Sequence, residues 1–233
     1  MEIEERERAC LEFLEGLPTD KYILIGGYAV SSFEFPRFSV DLDLIVREED
    51  FELFLSFLKE QGYKQIGKGS VRGNIYKGGF IRFEKRINDF NASIDLLVDG
   101  VHSRQTNTFY SFDYLFENSI LREVRGSTID FSVIARVADR EMLIALKANS
   151  MRLPDQRDII ALCTKGVNVK KIARHLKRCP NDTIKENIQK LLETIKSPRH
   201  RDSIKGVFGL SDKVYEKIIS RTERVFEELK EII

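Results

Sequence analysis

The sequence predicts an α+β protein in which a mixed β-sheet flanked by helices is followed by a C-terminal helical region. Up to about residue 135, short apolar runs broken by Gly or Asn alternate with amphipathic segments, as expected for strands and helices within one domain. Beyond that point the apolar residues recur with helical spacing. The 233 residues, 42% of them hydrophobic, are sufficient for two folded domains, which we place at residues 1–135 and 136–233.

The first predicted elements are a helix, a strand and a second helix. Apolar residues at helical spacing predict a helix over residues 3–14, which Pro18 ends. Tyr22–Ile25 is a short apolar run closed by two glycines, and it predicts a buried strand that enters a tight turn. We expect the second helix over residues 28–35.

Further strands and one helix are predicted in the middle of the chain. Residues 41–46 alternate acidic with apolar side chains and predict a strand, and the apolar residues of 51–58 fall on one helical stripe. The following short segments are interrupted by Gly or Asn and predict strands of one sheet. These predicted strands cover residues 63–67, 71–77, 80–85 and 93–98.

The last part of the chain is predicted to change from strand to helix. A helical turn is expected over residues 112–117, followed by strands over 120–124 and 128–133. From residue 139 onward the spacing of apolar residues is helical throughout. The predicted helices cover residues 141–151, 155–164, 169–178, 183–195 and 211–233.

The net charge of +1 conceals an uneven distribution of charge along the chain. Residues 1–60 contain 15 Asp and Glu against 6 Lys and Arg, whereas residues 165–205 contain 12 Lys and Arg against 4 Asp and Glu. Such a basic segment either faces a polyanion or forms the solvated face of a helical bundle. The basic residues within 170–178 and 199–201 are candidates for contact with RNA phosphates.

Composition argues against several classes of protein. No apolar run approaches the roughly 20 residues that cross a bilayer, and the acidic start lacks the apolar centre of a secretory signal, so we expect a cytoplasmic protein. The three cysteines lack the spacing of a zinc site or a disulfide framework, and the three histidines have no companion ligands. These residues are Cys10, Cys163, Cys179, His102, His175 and His200.

Two carboxylates in one predicted strand are the main functional signal. Residues i and i+2 of a strand face the same side, so Asp41 and Asp43 lie side by side while Leu42 and Leu44 face the core. Two carboxylates this close repel each other unless a cation binds between them. Hard oxygen donors select a hard cation, which favours Mg²⁺.

Asp95 is the candidate for a third carboxylate, because it is a single acid in the apolar strand predicted over 93–98. If the two strands are neighbours, three carboxylates can hold two metal ions about 4 Å apart, an arrangement that activates an attacking hydroxyl group in phosphoryl transfer. Asp41 and Asp43 would hold the metals, and Asp95 would hold one of them and help to deprotonate the nucleophile. The alternatives for the third acid are Asp89, Asp99 and Asp130.

The two glycines after the first strand fit the same chemistry. A Gly-Gly turn at a helix N-terminus presents backbone N–H groups and the positive end of the helix dipole to phosphate oxygens. Gly26 and Gly27 are therefore candidates for contact with a triphosphate.

The segments IGGYAV, RFSVDLDL and SIDLLV together resemble the nucleotidyltransferase superfamily related to DNA polymerase beta, whose signature is hG[GS], then Dh[DE]h, then a third acid on a later strand. The form GG-x-A-V with R-x-S-x-D-h-D is most similar to AbiEii-type and related minimal prokaryotic nucleotidyltransferases. The resemblance covers residues 22–164. The long segment 63–91 before the third acid departs from the pattern.

This resemblance implies a nucleotidyltransferase-type sheet and a two-metal, magnesium-dependent transfer of a nucleoside monophosphate from an NTP such as ATP. It also implies that Arg37 and Ser39 lie beside the metal-binding strand and contact the nucleotide. A downstream helical signature is similar as well, and it implies that Lys147 lies near the triphosphate with Asp158 in support. The helical domain would then complete the active site. Without the resemblance, Lys147 would be interpreted as a solvated helix residue and Asp158 as part of a surface ion pair.

The acceptor is left open by the sequence. By resemblance to toxin–antitoxin relatives, it is either the 3′ end of a tRNA-like RNA or a hydroxyl group of a partner protein. The alternative function is a catalytically idle module of the same fold that binds nucleotide, RNA or a partner protein.

Overall fold

The structure is a computed structural model that describes residues 2–66 and 79–233. The predicted α+β class, with a mixed sheet and a C-terminal helical region, is confirmed. The chain divides into two compact units. The first comprises Met1–Ser32, Pro36–His102 and Phe109–Asp139, and the second comprises Phe33–Phe35, Ser103–Thr108 and Arg140–Ile233.

Nine strands are present in the described residues. They are β1 (Tyr22–Ile25), β2 (Asp41–Val46), β3 (Lys64–Ile66), β4 (Gly79–Ile87), β5 (Phe90–Val98), β6 (Gly100–Ser103), β7 (Thr108–Ser111), β8 (Ser119–Arg125) and β9 (Ser132–Ala138). Seven of them form one sheet in the order β3-β4-β5-β2-β1-β9-β8, and β6 pairs with β7. The pairs β2/β5 and β1/β9 are parallel, and the other neighbours in the large sheet are antiparallel.

The helices of the first unit are α1 (Glu2–Glu15), α2 (Gly26–Ser31), α3 (Phe51–Glu60) and α4 (Phe112–Glu117). Those of the second unit are α5 (Arg140–Ser150), α6 (Leu153–Leu162), α7 (Val169–Leu176), α8 (Asn181–Thr194), α9 (Pro198–Phe208) and α10 (Asp212–Ile232). No described helix combines the length and the apolar character needed to span a membrane.

Each unit has its own apolar core. In the first unit, Leu42 and Leu44 of β2 and Ile94 and Leu96 of β5 are fully buried, and α1 packs against β5 and β9. In the second unit, α5 packs against α6, α7 and α8, and α10 packs against α6 to α9. Fully buried apolar residues of these helices include Ile144, Ile159, Ile172, Ile188 and Phe226.

Several predicted boundaries were wrong. The second helix ends at Ser31 rather than at residue 35. The strand expected over 128–133 begins at Ser132, so Asp130 lies in the β8–β9 loop and not on a strand. The strands β6 and β7 and the helix α9 were not predicted, and the strand predicted over 71–77 lies outside the described residues.

A buried carboxylate in α1 explains why β9 begins late. Glu7 is fully buried, and its two oxygens accept hydrogen bonds of 2.7–2.8 Å from the backbone N–H and hydroxyl groups of Ser127 and Thr128. Burial alone would raise the pKa of Glu7, but the four hydrogen bonds stabilise the ionised form and hold the pKa below its ordinary value of 4.5. The loop that precedes β9 therefore depends on an ionised Glu7.

Replacing Glu7 with Gln is expected to lower the free energy of unfolding by about 1–2 kcal/mol, because the amide nitrogen cannot accept the hydrogen bonds that a carboxylate oxygen accepts. In the wild type, this contribution is fully present above pH 4.5 and is lost as the pH falls through the lower pKa of the folded state. Urea unfolding at a series of pH values, from neutral to well below pH 4.5, measures both effects.

The matched control is Glu12→Gln, which changes an exposed residue of α1. It should leave both the unfolding midpoint and its pH dependence close to those of the wild type. The same acid destabilisation in Glu7→Gln as in the wild type would contradict the prediction.

Candidate functional site

Neighbouring strands of the first unit place charged side chains in one row across the sheet. Asp43 of β2 is the register partner of Asp95 of the parallel strand β5, and Asp95 is the partner of Arg82 of β4. On its other side, Asp43 is the partner of Ile25, the last residue of β1. Because register partners project to the same face of a sheet, Asp43, Asp95 and Arg82 meet on one face.

Asp41 lies on the same face, one pleat away. It precedes Asp43 by two residues and is the register partner of Ser93, which precedes Asp95 by two residues. The Asp95 side chain is only 4% exposed, whereas that of Asp41 is 34% exposed. Three carboxylates therefore share one face, and they extend from the sheet interior to the solvent.

The other candidates for the third acid have different surroundings. Asp99 follows β5 with a φ of 62°, and its carboxylate accepts a hydrogen bond from the backbone N–H of Glu48 at 2.9 Å. Asp89 is fully exposed in the turn between β4 and β5, and Asp130 is exposed in the β8–β9 loop. Among the four acids, only Asp95 is the register partner of a carboxylate of β2.

The two glycines lie against side chains of this face. Gly26 has a φ of +70°, which residues with a side chain rarely adopt, and a Cβ atom there would overlap the carboxylate of Asp43. A Cβ atom at Gly27 would overlap the Ser39 hydroxyl group. The chain's own side chains therefore require glycine at both positions. The contact of Gly26 and Gly27 with a triphosphate stays a prediction.

Arg37 and Ser39 lie beside the Gly-Gly turn. The Ser31 Oγ atom lies 2.8 Å from the Arg37 carbonyl oxygen, and it accepts a hydrogen bond from the Arg37 backbone N–H at 3.1 Å. The Arg37 guanidinium donates to the Phe38 carbonyl oxygen at 3.1 Å. The structure thus places one residue predicted to bind nucleotide against Asp43 and three more around the adjacent turn, although their contact with a nucleotide stays a prediction. These residues are Gly26, Gly27, Arg37 and Ser39.

Arg82 is the main feature of the site that sequence reasoning missed. Its Nε and Nη2 atoms donate to the two oxygens of Asp95 at 2.8 and 2.7 Å, and Nη2 also lies 3.3 Å from Asp41 Oδ2. The hydrogen bonds to Asp95, together with the charge of nearby Asp41 and Glu84, raise the pKa of Arg82 above its ordinary value. The sequence signal was weak, because Arg82 has apolar neighbours at 81 and 83 but three further charged residues follow in the same strand.

The donor set suits a hard divalent cation. Asp41 and Asp95 both bind one positively charged group, the guanidinium of Arg82, so these two carboxylates can share a cation. Within residues 2–66 and 79–233, no three His, Cys, Asp or Glu side chains are arranged to enclose a metal ion. The three acids are thus of the type that binds magnesium, while Arg82 contacts the oxygens through which Asp41 and Asp95 would bind the metal.

The second unit contains the predicted pair of Lys147 and Asp158. The Lys147 ammonium lies 2.8 Å from Asp158 Oδ2 and 3.1 Å from Asp155 Oδ1, and all three residues are buried. Asp155, which the sequence did not single out, also binds Ser150 and Arg152 at the start of α6. Burial would raise the pKa of Asp155, but Arg152, Lys147 and Ser150 hold it below its ordinary value. The role of Lys147 beside a triphosphate stays a prediction.

The basic segment predicted to contact RNA includes α7. Lys170 and Arg174 are exposed on this helix, and Lys177 and Arg178 are exposed directly after it. His175 and His200 are buried, in line with a structural role. Contact of the basic residues with RNA stays a prediction.

Neither a protein-family model nor a curated protein matches this chain. Solved structures do show likenesses. JHP933 from Helicobacter pylori is 15% identical with a TM-score of 0.44, and the match covers 99% of this chain and 93% of JHP933. An H. pylori protein described as a candidate nucleotidyltransferase is 15% identical with a TM-score of 0.46, over 100% of this chain and 96% of that one.

A third likeness is to CdnE of Elizabethkingia meningoseptica, a cyclic dinucleotide synthase, which is 9% identical with a TM-score of 0.24 over 98% of this chain and 90% of that one. All three likenesses are weak. The activities in their names belong to those proteins and are not transferred to this chain. The function must therefore be inferred from the site itself.

Proposed function

We propose that this protein is a magnesium-dependent nucleotidyltransferase that transfers a nucleoside monophosphate from an NTP to a hydroxyl group of RNA or of a protein. The observation that carries the proposal is the shared face of Asp41, Asp43 and Asp95, with Asp43 and Asp95 as register partners on parallel strands. A cytoplasmic location, where NTPs are present, belongs to the same proposal.

In the proposed reaction, the acceptor oxygen attacks the α-phosphorus of the NTP, the bond from that phosphorus to the bridging oxygen breaks, and pyrophosphate leaves. Asp41, Asp43 and Asp95 would hold the divalent cations, whose charge neutralises the phosphates and acidifies the acceptor hydroxyl group. Asp95 also helps to take up the hydroxyl proton. The remaining residues orient the nucleotide and neutralise phosphate charge. They are Gly26, Gly27, Arg37 and Ser39.

One observation favours a second candidate function. Arg82 satisfies both oxygens of Asp95 without a metal ion. A catalytically idle module that binds nucleotide, RNA or a partner protein would be stable in this state, since a paired carboxylate does not need a divalent cation. The two functions differ in whether Mg²⁺ and NTP together lead to covalent transfer.

The test is transfer of radiolabel from each of the four α-labelled NTPs, in the presence of Mg²⁺, to total RNA and to total protein. The wild type is compared with Asp41→Asn/Asp43→Asn, which preserves side-chain volume but removes two charges. The matched control is Asp89→Asn, which changes a fully exposed aspartate in the β4–β5 turn.

Label that enters one fraction with the wild type and the control, but not with the double variant, would support the proposal and identify both the base and the acceptor. Metal-dependent NTP binding without transfer to either fraction would favour the idle module. Absence of both transfer and NTP binding would overturn the nucleotidyltransferase assignment.

A further inference from the structure

The guanidinium of Arg82 contacts its two carboxylates unequally. It makes a two-point interaction with Asp95, at 2.8 and 2.7 Å, but a single and longer contact of 3.3 Å with Asp41. A guanidinium is a planar fork that matches one carboxylate, so its second partner is bound less well. The contact with Asp41 is therefore the one that breaks more easily.

The charge of this face makes a cation necessary. Asp41, Asp43 and Asp95 lie together, and Glu84 of β4 is the register partner of Ser93 next to them. Close carboxylates repel each other, and a buried one without a positive partner costs several kcal/mol. Arg82 meets this need in the structure because it contacts Asp41 and Asp95 together.

Exposure decides which partner can move. The Asp95 side chain is 4% exposed, whereas the Arg82 side chain is 40% exposed. A long arginine side chain can turn its charged end into water at little cost, but a buried carboxylate on a central strand cannot leave the sheet. Arg82 is thus the group that yields when another cation approaches Asp41 and Asp95.

We propose that Arg82 is a built-in counter-ion that competes with the divalent cation for Asp41 and Asp95. This inference rests on the proposed function, because it takes the three carboxylates to be the metal site. In the metal-free protein Arg82 keeps the carboxylates together. Entry of the divalent cation displaces Arg82 from Asp41 first, and Arg82 thereby lowers the affinity of the site for the metal.

The test is binding of Mn²⁺ alone to the full chain, followed by the electron paramagnetic resonance signal of the free ion. Arg82→Gln removes the positive charge and should bind Mn²⁺ about tenfold more tightly than the wild type, because a cation near a divalent ion repels it even in water. Arg82→Lys keeps the charge and should bind about as the wild type does. Asp41→Asn/Asp43→Asn should lose the binding.

Three outcomes are distinct. Tighter binding by Arg82→Gln but not by Arg82→Lys supports the competition. Binding by the wild type that is equal to or tighter than binding by Arg82→Gln overturns the inference alone, because Arg82 would then position the carboxylates for the metal. Absence of Mn²⁺ binding in the wild type and in both Arg82 variants overturns the inference together with the metal dependence of the proposed function.

A second measurement uses the wild type only and does not depend on the folding of a variant. The Nε–H group of Arg82 donates to Asp95, so its proton should give a protected NMR signal in the metal-free protein. Titration with diamagnetic Mg²⁺ should shift this signal and speed its exchange with water. An unchanged signal while Mg²⁺ binds would overturn the competition.

Discussion

Replacement of Asp95 with Asn is expected to reduce nucleotidyl transfer by more than about 100-fold and to leave the fold intact. Asn preserves the volume and one acceptor oxygen at this buried position next to Asp43, but it removes the charge that a divalent cation requires. Loss of a residue that hydrogen-bonds to a metal ligand lowers metal affinity or activity about 10–100-fold. Loss of the ligand itself should therefore lower the transfer rate further. The transfer rate at saturating Mg²⁺ and the urea midpoint are the two measurements.

The controls for this prediction are the other acids considered from the sequence. Asp99→Asn is well matched, because Asn tolerates the positive φ at this position and can still accept the hydrogen bond from Glu48. Asp130→Asn changes an exposed loop residue. Both should transfer at close to the wild-type rate. A loss of transfer in Asp99→Asn with full activity in Asp95→Asn would mean that the third acid is Asp99.

Elements with strong local signals could be predicted from the sequence. The observed bounds of β1, β2 and α4 equal the predicted ones, because apolar runs closed by glycine or acidic residues specify them locally. The late start of β9 could not be predicted, because it depends on hydrogen bonds that Ser127 and Thr128 donate to Glu7, far away in the chain. The helix α9 was not predicted, because it begins with Pro198 and proline within a sequence usually indicates the end of a helix. Proline is nevertheless well tolerated in the first turn of a helix.

The candidate site shows the same division between local and long-range information. The placement of Asp41 and Asp43 on one side of a strand follows from the period of two. Their position beside Asp95 depends on the parallel pairing of β2 with β5, and the place of Arg82 depends on the register of β4. Neither pairing leaves a local pattern in the sequence. Asp95 is the single charge of β5, whereas Arg82 is one of four charged residues in β4, so the strand sequence does not distinguish Arg82.

Replacement of Lys147 with Met is expected to lower the free energy of unfolding by about 3 kcal/mol. The ammonium of Lys147 contacts Asp155 and Asp158, whose side chains are at most 1% exposed, and breaking a buried ion pair from one side is strongly destabilising. Asp155 keeps its hydrogen bonds to Arg152 and Ser150 when the lysine is removed. Urea unfolding of both proteins measures the difference.

The double variant Lys147→Met/Asp158→Asn separates a loss of charge balance from a loss of packing. It removes one positive and one negative charge together, so it should recover most of the stability that Lys147→Met loses. Lys170→Met changes an exposed lysine of α7 and should shift the free energy of unfolding by no more than about 0.5 kcal/mol. If Lys147→Met were as stable as Lys170→Met but bound NTP more weakly, Lys147 would act on the nucleotide rather than as the buried counter-ion of two aspartates.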